Sequence, residues 1–528
     1  METNPRTIND LLSQVETKFG GTKTIELIRE LGAHPTELDS GAPPEIGPIN
    51  KDKKIVVVGA GVAGLVLTYE LAKRGANVEL WEATSKIGGR NRSVRHGETI
   101  QETGHPDQIC KLPKGGYLNA GPGRISHHHR AVLHYCKHFS LSLKPYQTLN
   151  RAALLHRYIP ELDRDVIVRN RQVQFDGQGR IGEIAAKLGP WFDIDGPIPA
   201  DLSEALRDWL HDNFDVREGT DTEWNYCAKG RQGYSKARGG PNEQGEQEQP
   251  LTLEQILGLR LWYDDPRRSP DVIDEQLSMF ELEGGNDGLV QALADQIQSA
   301  LRTNRILKCL KRNEDGTVVL EGLDQEQGLI KTTADRVVLA MQPQAMVDMD
   351  LDLPVQTKQA LEDLPARFAV KVAGWMNRRF WEDDLAIYGG ISFTNMPNEQ
   401  IWYPNNNFQD VNGGLLVMAY AALHHGEMLG KLPPNERCAA AVELAKRIHP
   451  QIEEELNQES LITIAWQNIP HIRSPWVAWT PDRYKRWFHQ ITEPMGSIAF
   501  AGDWCSHLPA WQEGAIRSAY SLLAWAGQ

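Results

Sequence analysis

The sequence predicts an α/β protein. Its nucleotide-binding-type domain is assembled from separated stretches of chain and joined to a mixed-sheet domain and a helical insertion. Three observations carry this expectation: a strand–turn–helix–strand unit over 54–82, a Gly-Gly-Arg at 88–90, and a strand–Gly-Asp–helix unit over 497–528. In the first, Ile55-Val-Val-Val58 is a short apolar run suited to a strand buried on both faces. Gly59-Ala-Gly-Val-Ala-Gly64 follows, then a helical pattern (Leu65, Leu67, Leu71) stopped by Gly75, then a strand of Val78, Leu80 and Trp81 ending at Glu82. Alone, G-x-G-x-x-G is a weak signal, but here its context is that of a Rossmann-like turn. Gly59 permits the tight turn, Gly61 lets backbone N–H groups approach a pyrophosphate, and Gly64 lets helix and strand pack closely. The helix N-terminus, with Ala63 in its first turn, offers free donors and positive dipole to an anion. Glu82 is placed to accept from ribose hydroxyls and would repel a ribose phosphate, which disfavours NADP. On this unit alone, NAD and FAD stay open.

Composition narrows the class. The chain has 528 residues, 41% hydrophobic and 24% charged, with 15 Trp, which is globular rather than disordered. Its 56 Lys+Arg against 70 Asp+Glu give a net charge of −14, so nucleic acid is not an expected partner. The 6 Cys (Cys110, Cys136, Cys227, Cys309, Cys438, Cys505) form no C-x-x-C pair or ligand spacing, as expected of reduced cysteines in a cytoplasmic chain. Met1 to Phe19 has acidic residues and no continuous apolar run, so no signal peptide is expected there. No apolar stretch reaches the roughly 18 residues of a membrane span.

The remaining elements follow in order. Ile8, Leu11, Leu12, Val15 and Phe19 predict an amphipathic helix, and the proline-bearing stretch His34–Asp52 a linker. Helical patterns at Ile184 and Leu188, and at Leu202, Leu206 and Leu210, precede a polar, glycine-rich stretch from Thr220 to Pro250 that reads as a mobile surface insertion. A helix is expected over 287–301, strands near 305–321 and at Arg336–Ala340, and strand-like runs at Phe368–Trp375 and Leu415–Tyr420. A helix over 434–448, a strand at Ser497–Ala501 and a final helix complete the chain. The expected domains are an arm (1–53), nucleotide-domain segments at 54–130, 280–345 and 494–528, an insertion at 131–279 and a substrate domain at 346–493.

Arg90 tilts the cofactor choice. A loop can bring its guanidinium back over the pyrophosphate, where a planar fork takes two phosphate oxygens. Together with the preceding unit, Gly88-Gly89-Arg90 matches the glutathione-reductase-type flavoproteins. Ala501-Gly-Asp503 and Trp511-Gln-Glu-Gly-Ala-Ile516 complete the pattern far downstream. Nucleotide contacts drawn from both ends of a chain are natural for FAD.

These residues, with Gly115-Gly-Tyr-Leu-Asn-Ala-Gly-Pro-Gly-Arg-Ile125, Leu282-Glu-Gly-Gly-Asn-Asp-Gly-Leu289, Ala369-Val-Lys-Val372, Phe380-Trp381 and Ile401-Trp-Tyr-Pro-Asn-Asn-Asn-Phe408, resemble the flavin-containing amine oxidase family, in its L-amino-acid oxidase branch. The resemblance runs from about Lys54 to the C-terminus and is weakest across 150–279. It implies that Arg124 grips a substrate α-carboxylate, with Tyr403 as second donor, and that Lys371 holds a water near the flavin. A bidentate guanidinium is what a buried carboxylate needs. It further implies aromatic walls at Trp511 and Trp476, and a substrate amine received by the backbone carbonyl of Ala510. Around the flavin nucleotide it implies Gly59, Gly61, Ala63, Gly64, Glu82, Ala83, Gly89, Arg90, Gly121, Gly123, Arg124, Ile306, Gly502, Asp503, Trp511, Gln512 and Ala515.

The implied reaction is oxidative deamination of an L-amino acid to a 2-oxo acid and ammonia. Dioxygen is reduced to hydrogen peroxide, and large apolar or aromatic side chains are favoured. Pro475 stands where covalent family members carry a linking cysteine, so the FAD is expected to be non-covalent. The chain stops at Gln528, directly after the flavin helix, so no membrane anchor is expected. A homo-oligomer, favouring a dimer, is the family expectation. A tryptophan 2-monooxygenase-like enzyme, a polyamine or monoamine oxidase and a non-catalytic flavin-binding protein remain as alternatives. His127, His128 and His129 cannot share a metal ion from one helix, where successive residues point about 100° apart, and no metal is expected.

Overall fold

The computed structural model describes residues 39–188, 203–218, 224–228, 230–262, 275 and 278–528. The helix expected over Ile8–Phe19 and the residue Leu202 lie outside them. The described residues fall into two compact units, 168–262 and the remainder.

In the larger unit a parallel five-stranded sheet runs in the order Leu301–Arg302, Asn77–Trp81, Lys54–Val58, Arg336–Leu339, Ile498–Phe500. Lys54–Val58 sits in the middle because a β-branched run with no polar residue from 55 to 58 can be buried on both faces. The helix Val62–Lys73 is buried continuously from Val62 to Leu71. That buried run is apolar apart from Thr68 and Glu70, because the sheet, the helix Gly288–Asp295 and the C-terminal helix Gln512–Gly527 enclose it. Gly75, at φ +85°, turns the chain out of this helix. The helix expected over 287–301 ends at Asp295, and the chain re-enters the sheet with Leu301 and Arg302 opposite Leu80 and Trp81. Edge pairing with the sheet wins over local helical periodicity there.

A seven-stranded mixed sheet carries the second half of this unit, in the order Leu456–Ala465, Ala369–Met376, Gly414–Ala422, Gln400–Tyr403, Gly390–Thr394, Leu154–Ile159, Arg164–Arg169. The helix Pro434–Lys446 packs on it. A four-stranded sheet (Gly328–Ala334, Val318–Asp324, Arg305–Arg312, Asp350–Leu351) lies in the same unit.

The smaller unit contains the helices Asn170–Leu188 and Ser203–Phe214 in mutual contact. The stretch between Thr220 and Pro250, which the sequence reads as a surface insertion, supplies ladders in its described residues. Trp224–Tyr226 pairs with Val216–Glu218, and Tyr234–Lys236 pairs with Glu246–Gln247. Such short strands leave no periodic signature in a polar sequence. Strands Leu143–Gln147 and Leu154–Ile159 pair with Ser278–Leu282 and Gly390–Thr394 in the larger unit, so the separate unit starts at Val168 rather than at 131. Among the described residues, no helix is long and apolar enough to cross a membrane.

Candidate active site

A cavity of about 1350 Å³ runs from the carboxyl ends of the parallel strands to the face of the mixed sheet. That exceeds the usual range of about 300–1,000 Å³ for one small ligand, so there is room for a dinucleotide and a substrate. One end is the glycine turn. Gly59 has φ +107°, and a Cβ there would meet the Ala340 carbonyl oxygen at 2.5 Å. A Cβ on Gly64 would meet the Gly59 carbonyl oxygen at 2.0 Å, so its role is packing, and it does not line the cavity. A Cβ on Gly61 would meet nothing within 4 Å, which leaves its backbone open to a ligand.

Glu82 lies one residue beyond its strand. Its carboxylate accepts from the Ala60 N–H at 3.0 Å and from the Thr84 N–H and hydroxyl at 3.0 and 3.1 Å. Burial raises its pKa, partly offset by these bonds. Arg90 pairs with Asp503 and donates to the Pro475 carbonyl at 2.8 Å, tying the two ends of the chain together.

The fold brings Gly59, Gly61, Ala63, Glu82, Ala83, Gly89, Arg90, Gly121, Gly123, Arg124, Ile306, Gly502, Asp503, Trp511, Gln512 and Ala515 onto this one cavity. Side-chain nitrogens of Asn91, Arg92, Arg367 and Gln512 on its wall are buried without a hydrogen-bond partner. A lining with unspent donors beside a pyrophosphate-type turn fits a flavin dinucleotide.

The other end is aromatic. Arg124 bonds through Nη2 to the Glu275 carboxylate, and its guanidinium lies 5.3 Å from the Trp402 ring centre and 6.0 Å from that of Trp511. Burial works against the Arg124 charge, but Glu275 and the phenols of Tyr146 and Tyr420 outweigh it, and its pKa is raised. Lys371 is 3% exposed on the strand Ala369–Met376. Its Nζ donates to the Asn119 and Gly121 carbonyls at 2.8 and 2.7 Å and stands 4.6 Å from the Trp402 ring centre. Burial and the neighbouring Arg124 cation push it down to about 7. Two acceptors match the two N–H donors of a neutral amine, which leaves the amine's lone pair free to accept a proton.

Tyr403 is a correction. It is 1% exposed in the core of the mixed sheet, its hydroxyl bonded to Ser392 at 2.7 Å and His449 at 2.6 Å, and it does not line the cavity. Successive side chains of a strand face opposite ways, so Trp402 faces the cavity and Tyr403 cannot. The phenol on the cavity wall is Tyr420, from the neighbouring strand. Trp476 lines the same cavity, but the rings in contact with Arg124 are Trp402 and Trp511.

Ala510 holds φ +70°, unusual for a residue with a Cβ, with its N–H bonded to the Asp503 carboxylate at 2.8 Å. That bond fixes the peptide just ahead of Trp511 and the C-terminal helix. His129, buried, sets its ring 4.8 Å from Trp511 at the start of the helix Arg130–His138. Among the described residues, no group of His, Cys, Asp and Glu could hold a metal ion. Tyr420 stands opposite Lys371 in the strand register, and a register shift beside it brings Val417, the partner of Trp402, to the same face. Glu275 had no sequence signal.

The chain is 24% identical to the L-amino-acid oxidase of Vipera ammodytes ammodytes over 481 residues, covering 88% of this chain and 91% of that protein. It is similar at 24% to an L-amino-acid oxidase of Bothrops moojeni, covering 88% of each. Among solved structures it resembles a redesigned putrescine oxidase (TM-score 0.58, 18% identity, 90% of this chain and 98% of that one). It also resembles the cyclohexylamine oxidase of Brevibacterium oxydans (TM-score 0.56, 15% identity, 90% and 98%). At those identities the two structures speak for the fold. The model of the flavin-containing amine oxidoreductases matches residues 62–521, and the chain belongs to that family.

Proposed function

We propose that the protein is an FAD-dependent L-amino-acid oxidase. The observation that carries this is Arg124, a mostly buried guanidinium between Trp402 and Trp511 that already holds a carboxylate, next to Lys371. An amine oxidase whose substrate lacks a carboxylate needs no guanidinium at this place, and Arg124 keeps its buried Nε without a partner beside the Glu275 bond, ready for a second carboxylate. In this reading Arg124 takes the substrate α-carboxylate, and the Ala510 carbonyl receives the amine. Trp402, Trp511 and Tyr420 keep water from the reacting carbon. FAD, when bound, supplies the two-electron oxidation of the Cα–N bond and passes the electrons to dioxygen. Neutral Lys371, held on two carbonyls, accepts a proton or orders a water at that end of the cavity.

Arg90, Asn91, Arg92 and Gln512 would hold the dinucleotide. The absence of cysteine from the cavity wall supports non-covalent attachment; Cys505 is buried away from it and its thiol is held protonated by burial. The test is product analysis of the flavin-loaded protein with a panel of L-amino acids. Equal amounts of 2-oxo acid, ammonia and hydrogen peroxide are expected. Carbon dioxide with an amide would make it a monooxygenase instead.

A further inference from the structure

We propose that Glu275 is a specificity-determining residue that selects L-amino acids with a cationic side chain, of the arginine and lysine kind. This rests on the amino-acid-oxidase reading of Arg124. The pair Arg124–Glu275 is a neutral unit, its side chains 14% and 17% exposed. A guanidinium has five N–H donors. Glu275 bonds to Nη2, and Arg124 Nε is buried with no partner, so donors remain for a substrate carboxylate while Glu275 stays in place.

That arrival puts a second negative charge beside Glu275 in a site walled by Trp402, Trp511 and Tyr420. Lys371, the neighbouring cation-forming group, is anchored on Asn119 and Gly121 and titrates near neutrality, so it does not reliably balance the charge. A positive group on the substrate's own side chain restores neutrality and gives the carboxylate of Glu275 a partner. Three or four methylenes, as in arginine and lysine, bury well against aromatic rings while delivering such a charge. With an apolar side chain the α-ammonium alone balances the carboxylate, and once it gives up its proton for oxidation the excess negative charge beside Glu275 has no partner on the substrate.

The experiment compares L-arginine with L-citrulline, its neutral near-isostere, in wild type and Glu275→Gln, both loaded with flavin. In wild type, kcat/KM should favour arginine by about ten- to a hundredfold, the worth of one charge-assisted bond. In Glu275→Gln the ratio should fall to near one while citrulline is still oxidised. Binding supplies a readout apart from turnover. 5-Guanidinopentanoate, which has no amine to oxidise, should bind wild type about tenfold or more tighter than 5-ureidopentanoate, and the preference should vanish in the variant. Equal use of arginine and citrulline by wild type would overturn charge selection and leave the oxidase reading standing. So would a variant that changes both substrates alike and keeps their ratio. Failure to form 2-oxo acid from every L-amino acid would overturn the oxidase reading, and this proposal with it.

Discussion

At Lys371, burial and a neighbouring cation act together, and the sign of their effect is testable. Its folded-state pKa of about 7 lies below the ordinary 10.5. Below 7 the folded protein carries the penalty of a buried ammonium in full. Between 7 and 10.5 the unfolded chain holds a proton that the folded one has released, so stability rises with pH. The wild type should therefore gain thermal stability relative to Lys371→Met as pH climbs from about 7 towards 10, and parallel melting curves would refute the assignment. Glu82 is the second residue with a defined test. Glu82→Ala removes both the ribose acceptor and the bond to the Ala60 N–H. FAD affinity should fall by about 1.5–3 kcal/mol, read by fluorescence titration of the flavin. Arg90, Glu82 and Arg124, residue types with one demanding job, all reach the cavity, and so does Lys371, which only the family resemblance singled out. Tyr403 does not: motif adjacency says nothing of which way a strand residue faces.

At the scale of elements, the glycine turn is the most constrained piece. Its spacing could be read from sequence because backbone geometry admits so few alternatives. Gly59→Ala forces a Cβ to within 2.5 Å of the Ala340 carbonyl at φ +107°. Strain of about 1–3 kcal/mol is expected, seen as a lower melting temperature and loss of flavin on purification. The strand pair Gln400–Tyr403 and Gly414–Ala422 was less legible, since strands buried on both faces show no alternation to reveal that Trp402 and Tyr420 share the cavity side. The short ladders of 216–247 were not legible at all, being two or three residues long and polar. Glu275 escaped for a different reason: a lone carboxylate, 151 positions from Arg124 in sequence, acquires its meaning only from the fold.

Across the whole molecule, the cavity depends on the fold bringing the glycine turn, the mixed sheet and the C-terminal helix to one place. The fully buried pair Glu102–Arg437 helps hold that arrangement. Glu102 also accepts from the Ala465 N–H and the Asn468 amide, and Arg437 donates to the Leu429 and Leu432 carbonyls. Glu102→Ala leaves Arg437 charged and unpaired at 0% exposure, which should cost about 3–5 kcal/mol in denaturant unfolding. The central claim is that this cavity recognises an α-carboxylate through Arg124. The most direct measurement is kcat/KM for an L-amino acid and for the amine left when its carboxylate is removed, L-arginine with agmatine and L-leucine with 3-methylbutylamine. It is made in wild type and in Arg124→Ala at equal flavin content. Wild type should oxidise only the amino acids, and the variant should lose about 2–5 kcal/mol of transition-state stabilisation towards them along with most of the discrimination. Equal oxidation of amine and amino acid by wild type would contradict the account and make Arg124 a structural residue.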